Sequence, residues 1–159
     1  MRQELICGQM LSEIYEFRPV DDWLATSGQP TEAQFAKIRD AGYEVIVNLA
    51  LPISDNAIQS EGSIVTGLGM TYIHIPVDFT APRADDFEAF CRVMDAFPGK
   101  KVFVHCAANK RVSAFLYLRR VIKQRADPAA ARLDLESVWQ PDQVWTRFIT
   151  DQLQRPQSA

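Results

Sequence analysis

Short strands that are apolar on both faces, alternating with stretches of helical periodicity, predict an α/β fold. Its expected form is three-layered, with a central, mostly parallel sheet of four or five strands flanked by helices. The clearest observation is the run VIVNL at residues 45–49, which is apolar on both faces and bounded by turn residues, as a strand covered by helices on both sides requires. A similar strand stands at 101–104. The third observation is that segments of helical character separate the strands, which is how parallel neighbours are connected. At 159 residues the chain is expected to be one domain, 1–159, with 1–13 and 155–159 peripheral or frayed.

Taken in order, a polar N-terminal arm leads to a short strand at 22–27, which enters Gly28-Gln29-Pro30. Thr31 then opens a helix with Gln34 as its capping-box partner; Phe35 and Ile38 supply its apolar face and Gly42 ends it. A looser helical stretch at 56–68 passes through Gly67 and Gly69 into a strand at 70–77. Residues 85–97 place Phe87, Cys91 and Met94 on one stripe before Pro98-Gly99. After the strand at 101–104, residues 112–122 are apolar almost all round and suit a buried helix, which Asp127-Pro128 stops while capping the next. Helices at 128–138 and 141–153 complete the chain.

Composition excludes several classes of function. Hydrophobic residues make up 47% and charged residues 23%, so disordered and fibrous classes fall away. A net charge of -3 argues against a general nucleic-acid binder. No segment has the apolar length of a membrane span or the core of a signal peptide, and a cytoplasmic protein without membrane or nucleic-acid partners is expected. Cys7, Cys91 and Cys106 lack metal-type spacing, so free thiols are expected and neither a metal nor another cofactor. Charge is unevenly spread: residues 100–126 hold Lys100, Lys101, Lys110, Arg111, Arg119, Arg120, Lys123 and Arg125 with no acid, and should attract anions.

Ligands of parallel sheets sit beyond the C-terminal ends of the strands, and residues 105–111 occupy that place. Three cysteines and twelve arginines would produce a spacing like that of Cys106 and Arg111 by chance roughly one time in four, so the context carries the signal. A loop from a buried strand into a helix N-terminus turns backbone N–H groups inward, and the helix dipole adds positive charge there. Such a nest binds an oxyanion and favours a thiolate at Cys106. Arg111 can fork two donors onto a tetrahedral anion, which lysine cannot.

These residues resemble the cysteine-dependent tyrosine and dual-specificity phosphatase superfamily, whose signature is His-Cys, five spacers, Arg, then Ser or Thr. The resemblance covers about residues 22–125. It is closest to small bacterial phosphatase-like proteins with a Gly-Gln-Pro-Thr element, here Gly28 to Thr31, ahead of a strand like VIVNL and a loop like HCAANKRVSAF. It implies a phosphatase-like fold and hydrolysis of a phosphomonoester on a protein or small molecule, of the phosphotyrosine or dual-specificity type. Cys106 would attack phosphorus to give a thiophosphoryl intermediate. Ala107, Ala108, Asn109, Lys110, Arg111 and Val112 would hold the phosphate, with His105 and Ser113 in support. An upstream acid would protonate the leaving oxygen, and Asp78, 28 residues before Cys106, stands where the resembled families put theirs.

One departure bears on the chemistry. Four spacers separate Cys106 from Arg111, so in the five-spacer register Val112 takes the arginine position, with Ser113 correctly placed as the hydroxyl. Rhodanese-type sulfurtransferases also use a short loop, which makes a Cys106 persulfide the alternative chemistry, and a phosphate-binding module without turnover is a further one. Among the remaining polar and aromatic residues, Cys91 reads as core, Asp85 and Asp86 as first-turn acids and His74 as structural. Trp23, Trp139 and Trp145 read as packing, and Arg119, Arg120, Lys123 and Arg125 as a solvated basic helix end.

Overall fold

Local signals set the strand-helix register. Thr31 accepts from the Gln34 amide while the Gln34 side chain accepts from the Thr31 amide, and this reciprocal cap starts α1 (Glu32–Asp40). Asp127 caps α5 (Pro128–Glu136) and Asp142 caps α6 (Gln143–Gln154) in the same side-chain-to-amide manner. The other helices are α2 (Glu61–Gly67), α3 (Ala84–Asp95) and α4 (Lys110–Ile122). The strands are β1 (Arg18–Pro19), β2 (Leu24–Ser27), β3 (Val45–Asn48), β4 (Thr71–His74) and β5 (Val102–His105).

The computed structural model describes residues 11–156. Its five strands form one sheet in the order β1-β2-β5-β3-β4, parallel throughout except for β1, which runs antiparallel on the edge. That two-residue strand lies in the segment read from sequence as a polar arm, and Pro19 suits an edge, where a missing N–H costs no ladder bond. In β3 and β5 alternate residues point to opposite faces. Val45, Val47, Val102 and Val104 pack with α3, α4, α5 and α6, whereas Ile46 and Phe103 pack with Phe35 and Ile38 of α1 and Val65 of α2. The result is the expected three-layered α/β architecture.

Several boundaries differ from the sequence reading. The helix expected over 56–68 begins only at Glu61, because turns occupy the residues before it. The strand expected over 70–77 pairs regularly only through His74, since Pro76 has no N–H to give the ladder. The chain nevertheless stays beside β3, with Ile75 N donating to Asn48 O at 2.9 Å and Val77 N to Leu49 O at 3.0 Å. Those two bonds carry it to the same sheet edge as Cys106. Of the N-terminal arm, residues 1–10 lie outside the described residues, and Cys7 with them; Leu11 and Ile14 are buried in the α1–α2 layer. Residues 157–159 also lie outside the described residues.

Candidate active site

The loop after β5 is held from below by the turn after β2. Gly28 forms an isolated bridge with Ala108, Gln29 N donates to Ala107 O at 3.1 Å, and Asn56 Nδ2 donates to the same oxygen at 3.1 Å. A Cβ on Gly28 would stand 2.8 Å from Ala107 O and 2.7 Å from Tyr15 Cδ1, so only glycine lets the two loops approach this closely. Asn109 enters α4 with φ at 61°, a left-handed conformation that asparagine tolerates, and its Nδ2 donates to Glu16 O and Thr26 Oγ1, each at 3.0 Å. The chain turns sharply there, and α4 begins with three residues between it and Cys106 and with Arg111 in its first turn.

Cys106 is fully buried at 0% exposure, with its amide donating to Ser27 O. The first helical bond of this turn runs from Ser113 N to Asn109 O, so the amides of Lys110, Arg111 and Val112 precede the intrahelical ladder. Arg111 is 6% exposed, and its Nη1 donates to Val77 O at 2.9 Å. Its buried Nε finds no acceptor, and among the described residues no carboxylate forms an ion pair with it. Ser113 Oγ donates to Lys110 O at 3.0 Å, within the first turn. Cys91 differs sharply from Cys106 in placing: it lies on the core stripe of α3, and burial pushes its thiol up to about 12.

Asp78 immediately follows the carbonyl that anchors Arg111. In this conformation it is exposed, and its Oδ1 accepts from Thr80 N at 2.9 Å and Thr80 Oγ1 at 2.8 Å. Those bonds are the largest influence holding its carboxyl below the usual range, with the Arg111 charge adding to them. The next residue, Phe79, was not singled out in the sequence. Its carbonyl accepts from Trp145 Nε1 at 2.8 Å, and its ring lies 5.7 Å from the Arg111 guanidinium and 5.9 Å from Lys110 Nζ. Trp139 completes this rim, 5.7 Å from Phe79 and 5.4 Å from Lys110 Nζ. Trp139 and Trp145 pack in the core, as read from sequence, and folding also brings both to the Asp78-Phe79 loop.

Behind Cys106 lies a buried polar cluster that the sequence reading also missed. His105 Nδ1 is 3.1 Å from Cys106 O, and its Nε2 is 2.7 Å from Glu61 Oε2. Gln29 Nε2 donates to Glu61 Oε1 at 2.7 Å. Glu61 is 2% exposed. In sequence it looks like any first-turn acid. The only cue was His105 itself, since a histidine inside a buried strand needs a partner. His74 Nε2 bonds Ala50 O at 2.6 Å.

The basic run 100–126 divides in two. Arg119 is buried and paired with Asp95 at 2.8 Å, which corrects the expectation that it is solvated; Arg120 pairs with Asp134 and Lys123 with Glu88 at the surface, and Lys123 and Arg125 are exposed as expected. The cations suit the negative C-terminal end of the α4 dipole, and acids of neighbouring helices pair with them. Lys110 and Arg111 are the cations left at the loop. Asp85, exposed in the first turn of α3, pairs with Arg83.

Comparison with known proteins places this geometry. A DUF442 protein of Shewanella putrefaciens CN-32 superposes with a TM-score of 0.80 at 36% identity, covering 91% of this chain and 95% of that one. A Cys→Ser variant of P. aeruginosa TpbA, solved in complex with pTyr, has a TM-score of 0.60 at 16% identity over 78% of this chain and 79% of that one, a likeness of fold alone. Among curated proteins, the beta-lactamase hydrolase-like protein of Xylella fastidiosa (strain Temecula1) is 31% identical over 110 residues, or 67% of this chain. The chain spans about a quarter of the length of that relative, since the match covers 25% of it. A family model described as DSP-PTPase phosphatase fused to NAD+ kinase matches residues 17–147, and the chain belongs to that phosphatase family.

Proposed function

We propose that this protein hydrolyses phosphomonoesters, on a protein or a small molecule, through a phosphoryl group carried on Cys106. The observation that carries the reading is Arg111, a guanidinium 6% exposed and oriented by Val77 O, which among the described residues has no acceptor for Nε and no carboxylate paired to it. A buried guanidinium with an unsatisfied N–H and no ion-pair contact is costly, and an anion at the loop removes that cost. The amides of Lys110, Arg111 and Val112 point the same preference at the same place. With its three equatorial oxygens, a transferring phosphoryl group fits donors so arranged.

The thiolate of Cys106 attacks phosphorus, the sulfur–phosphorus bond forms and the bond to the leaving oxygen breaks. That oxygen takes the proton of the Asp78 carboxyl. Water then attacks phosphorus, Asp78 accepts its proton, and the sulfur–phosphorus bond breaks to return the thiolate and release phosphate. Ala107, Ala108 and Asn109 shape the cradle, and Ser113 supports its helical side. Phe79, Trp139 and Lys110 form a rim suited to an aromatic or acidic group beside the phosphate, which favours substrates of the phosphotyrosine type.

The four-spacer loop supports a second reading, transfer of sulfane sulfur through a Cys106 persulfide, because a shorter loop encloses a smaller ligand. Parallel assays with an aryl phosphate and with thiosulfate plus cyanide separate the two. Phosphate release that disappears in Cys106→Ser, with vanadate or phosphate still bound by that variant, is the expected result. Wild-type turnover by Cys106→Ser would exclude the covalent route.

A further inference from the structure

The face of α4 that carries Ser113, Leu116, Tyr117, Arg120 and Gln124 at helical spacing is covered only in part. On one side β1 pairs with β2 at two positions, Arg18 with Thr26 and Pro19 with Ala25, so the sheet edge ends early. On the other side α5 contributes Ala131 and Leu135. Between them lies a cavity of about 320 Å³, within the range of about 300–1,000 Å³ that small-molecule sites occupy. Neither Cys106 nor Arg111 lines it, and the reaction above makes no use of it.

Most charged groups on its wall are already engaged. Arg120 pairs with Asp134, Asp21 Oδ1 accepts from the amides of Trp23 and Leu24, and Arg18 pairs with Glu16 and donates to Ser137 O. Arg119 is different. Its side chain is 9% exposed and forms one hydrogen bond, from Nη2 to Asp95 Oδ1 at 2.8 Å; among the described residues Nε and Nη1 meet no acceptor. The carboxylate of Asp95 is largely exposed, so the guanidinium is anchored at one nitrogen and keeps donors for an anion in the cavity that it lines. Tyr117, buried on the same wall, likewise has no partner for its hydroxyl among the described residues. Beside these donors stand Leu24, Leu116 and Leu135, all buried. Charge-bearing donors next to an apolar wall suit a ligand with an anionic head and an apolar body, the head taking strong hydrogen bonds and the body leaving water.

We propose that this cavity is a second binding site, separate from the cradle at Cys106, for a small organic acid whose anionic head meets Arg119 and Tyr117 and whose apolar body lies against Leu24, Leu116 and Leu135. The site does not depend on the reaction proposed for Cys106. It adjoins the cradle loop through Thr26 and Ser113, which line the cavity and bond Asn109 and Lys110, so a test has to tell the two places apart.

Cinnamate, a carboxylate on a flat apolar body, and cinnamamide, its uncharged counterpart, serve as probes. Each is titrated into the full chain while backbone and indole N–H shifts are followed by nuclear magnetic resonance. Cinnamate should give saturable shifts centred on Trp23, Leu116, Tyr117 and Leu135, and should bind at least about tenfold more tightly than cinnamamide, because a hydrogen bond to a charged group is worth that much. Arg119→Gln should remove the preference for the acid. Val138→Trp, at a half-buried position on the wall, should narrow the cavity and weaken both compounds together. Shifts centred on residues 106–112, no saturable shift at millimolar cinnamate, or equal binding of acid and amide overturns the proposal. So does a folded Arg119→Gln protein that still prefers the acid, or undiminished binding by Val138→Trp. Should Arg119→Gln fail to fold, the comparison of acid with amide in the wild-type protein decides by itself. A protein that binds cinnamate in this way but releases no phosphate from an aryl phosphate would contradict the proposed reaction and leave the second site standing.

Discussion

Arg111 and Asp78 depend on different physics, and their substitutions separate it. Arg111→Lys keeps the charge but loses the planar fork, so it should cost about 2–4 kcal/mol in transition-state stabilisation, read as kcat/KM on an aryl phosphate. Near-normal activity would mean that the guanidinium does not hold the reacting group. For Asp78 the sign follows from Thr80, whose amide and hydroxyl stabilise the carboxylate and depress its proton affinity. A depressed carboxyl loses its proton at lower pH, so the acid-competent fraction of the free protein falls away early as pH rises. Thr80→Val removes the hydroxyl donor, raises that affinity, and should move the basic limb of the kcat/KM profile to higher pH. With a poor leaving group such as phenolate the displacement should be plain, and Asp78→Asn should flatten the limb. A limb that stays fixed in Thr80→Val would assign it to another group.

At the level of elements, the turn from β2 to α1 unites four separate tasks in four residues. Gly28 admits the loop after β5, Gln29 holds Glu61, Pro30 carries the chain on, and Thr31 caps α1. Gly28→Ala places a methyl group against the Ala107 carbonyl, which is backbone and cannot swing aside. It should destabilise the fold by about 1–3 kcal/mol in denaturant melts and lower activity more than that loss of folded protein explains. Equal stability and activity in Gly28→Ala would show that the loops separate without consequence. The Thr31 cap was legible in the sequence because its signal is local, Thr and Gln three residues apart. The partners of Gly28 and Gln29 were not, since Ala107 and Glu61 are distant in the chain and neither carries a pattern that marks it. The β4 extension shows the same limit: its apolar residues foretold a strand to Val77, but Pro76 ends the regular pairing while leaving the chain on course to Asp78.

Across the whole molecule, α4 is the common support. Phe115 on its inner face meets Phe87 and Phe90 of α3 and Trp145 and Phe148 of α6, with ring centroids 5.5 to 6.0 Å apart. Trp145 in turn holds the Phe79 carbonyl, so one aromatic cluster fixes both the helix that bears Arg111 and the loop that bears Asp78. The α/β class and the placing of Cys106 at a strand end followed from periodicity, which is dense in a chain of alternating buried strands and helices. What periodicity could not supply was the meeting of Phe79, Trp139 and Lys110, because that depends on how α5 and α6 pack back over the sheet edge. The central claim is that phosphorus is carried on Cys106. Rapid acid quench of the wild-type protein during turnover of an aryl phosphate, with mass analysis of the Cys106 peptide, tests it most directly. A transient phosphoryl adduct on Cys106, formed and lost at rates matching turnover, is the predicted result. No adduct and no phosphate release, together with a stable persulfide on Cys106 after thiosulfate, would contradict it.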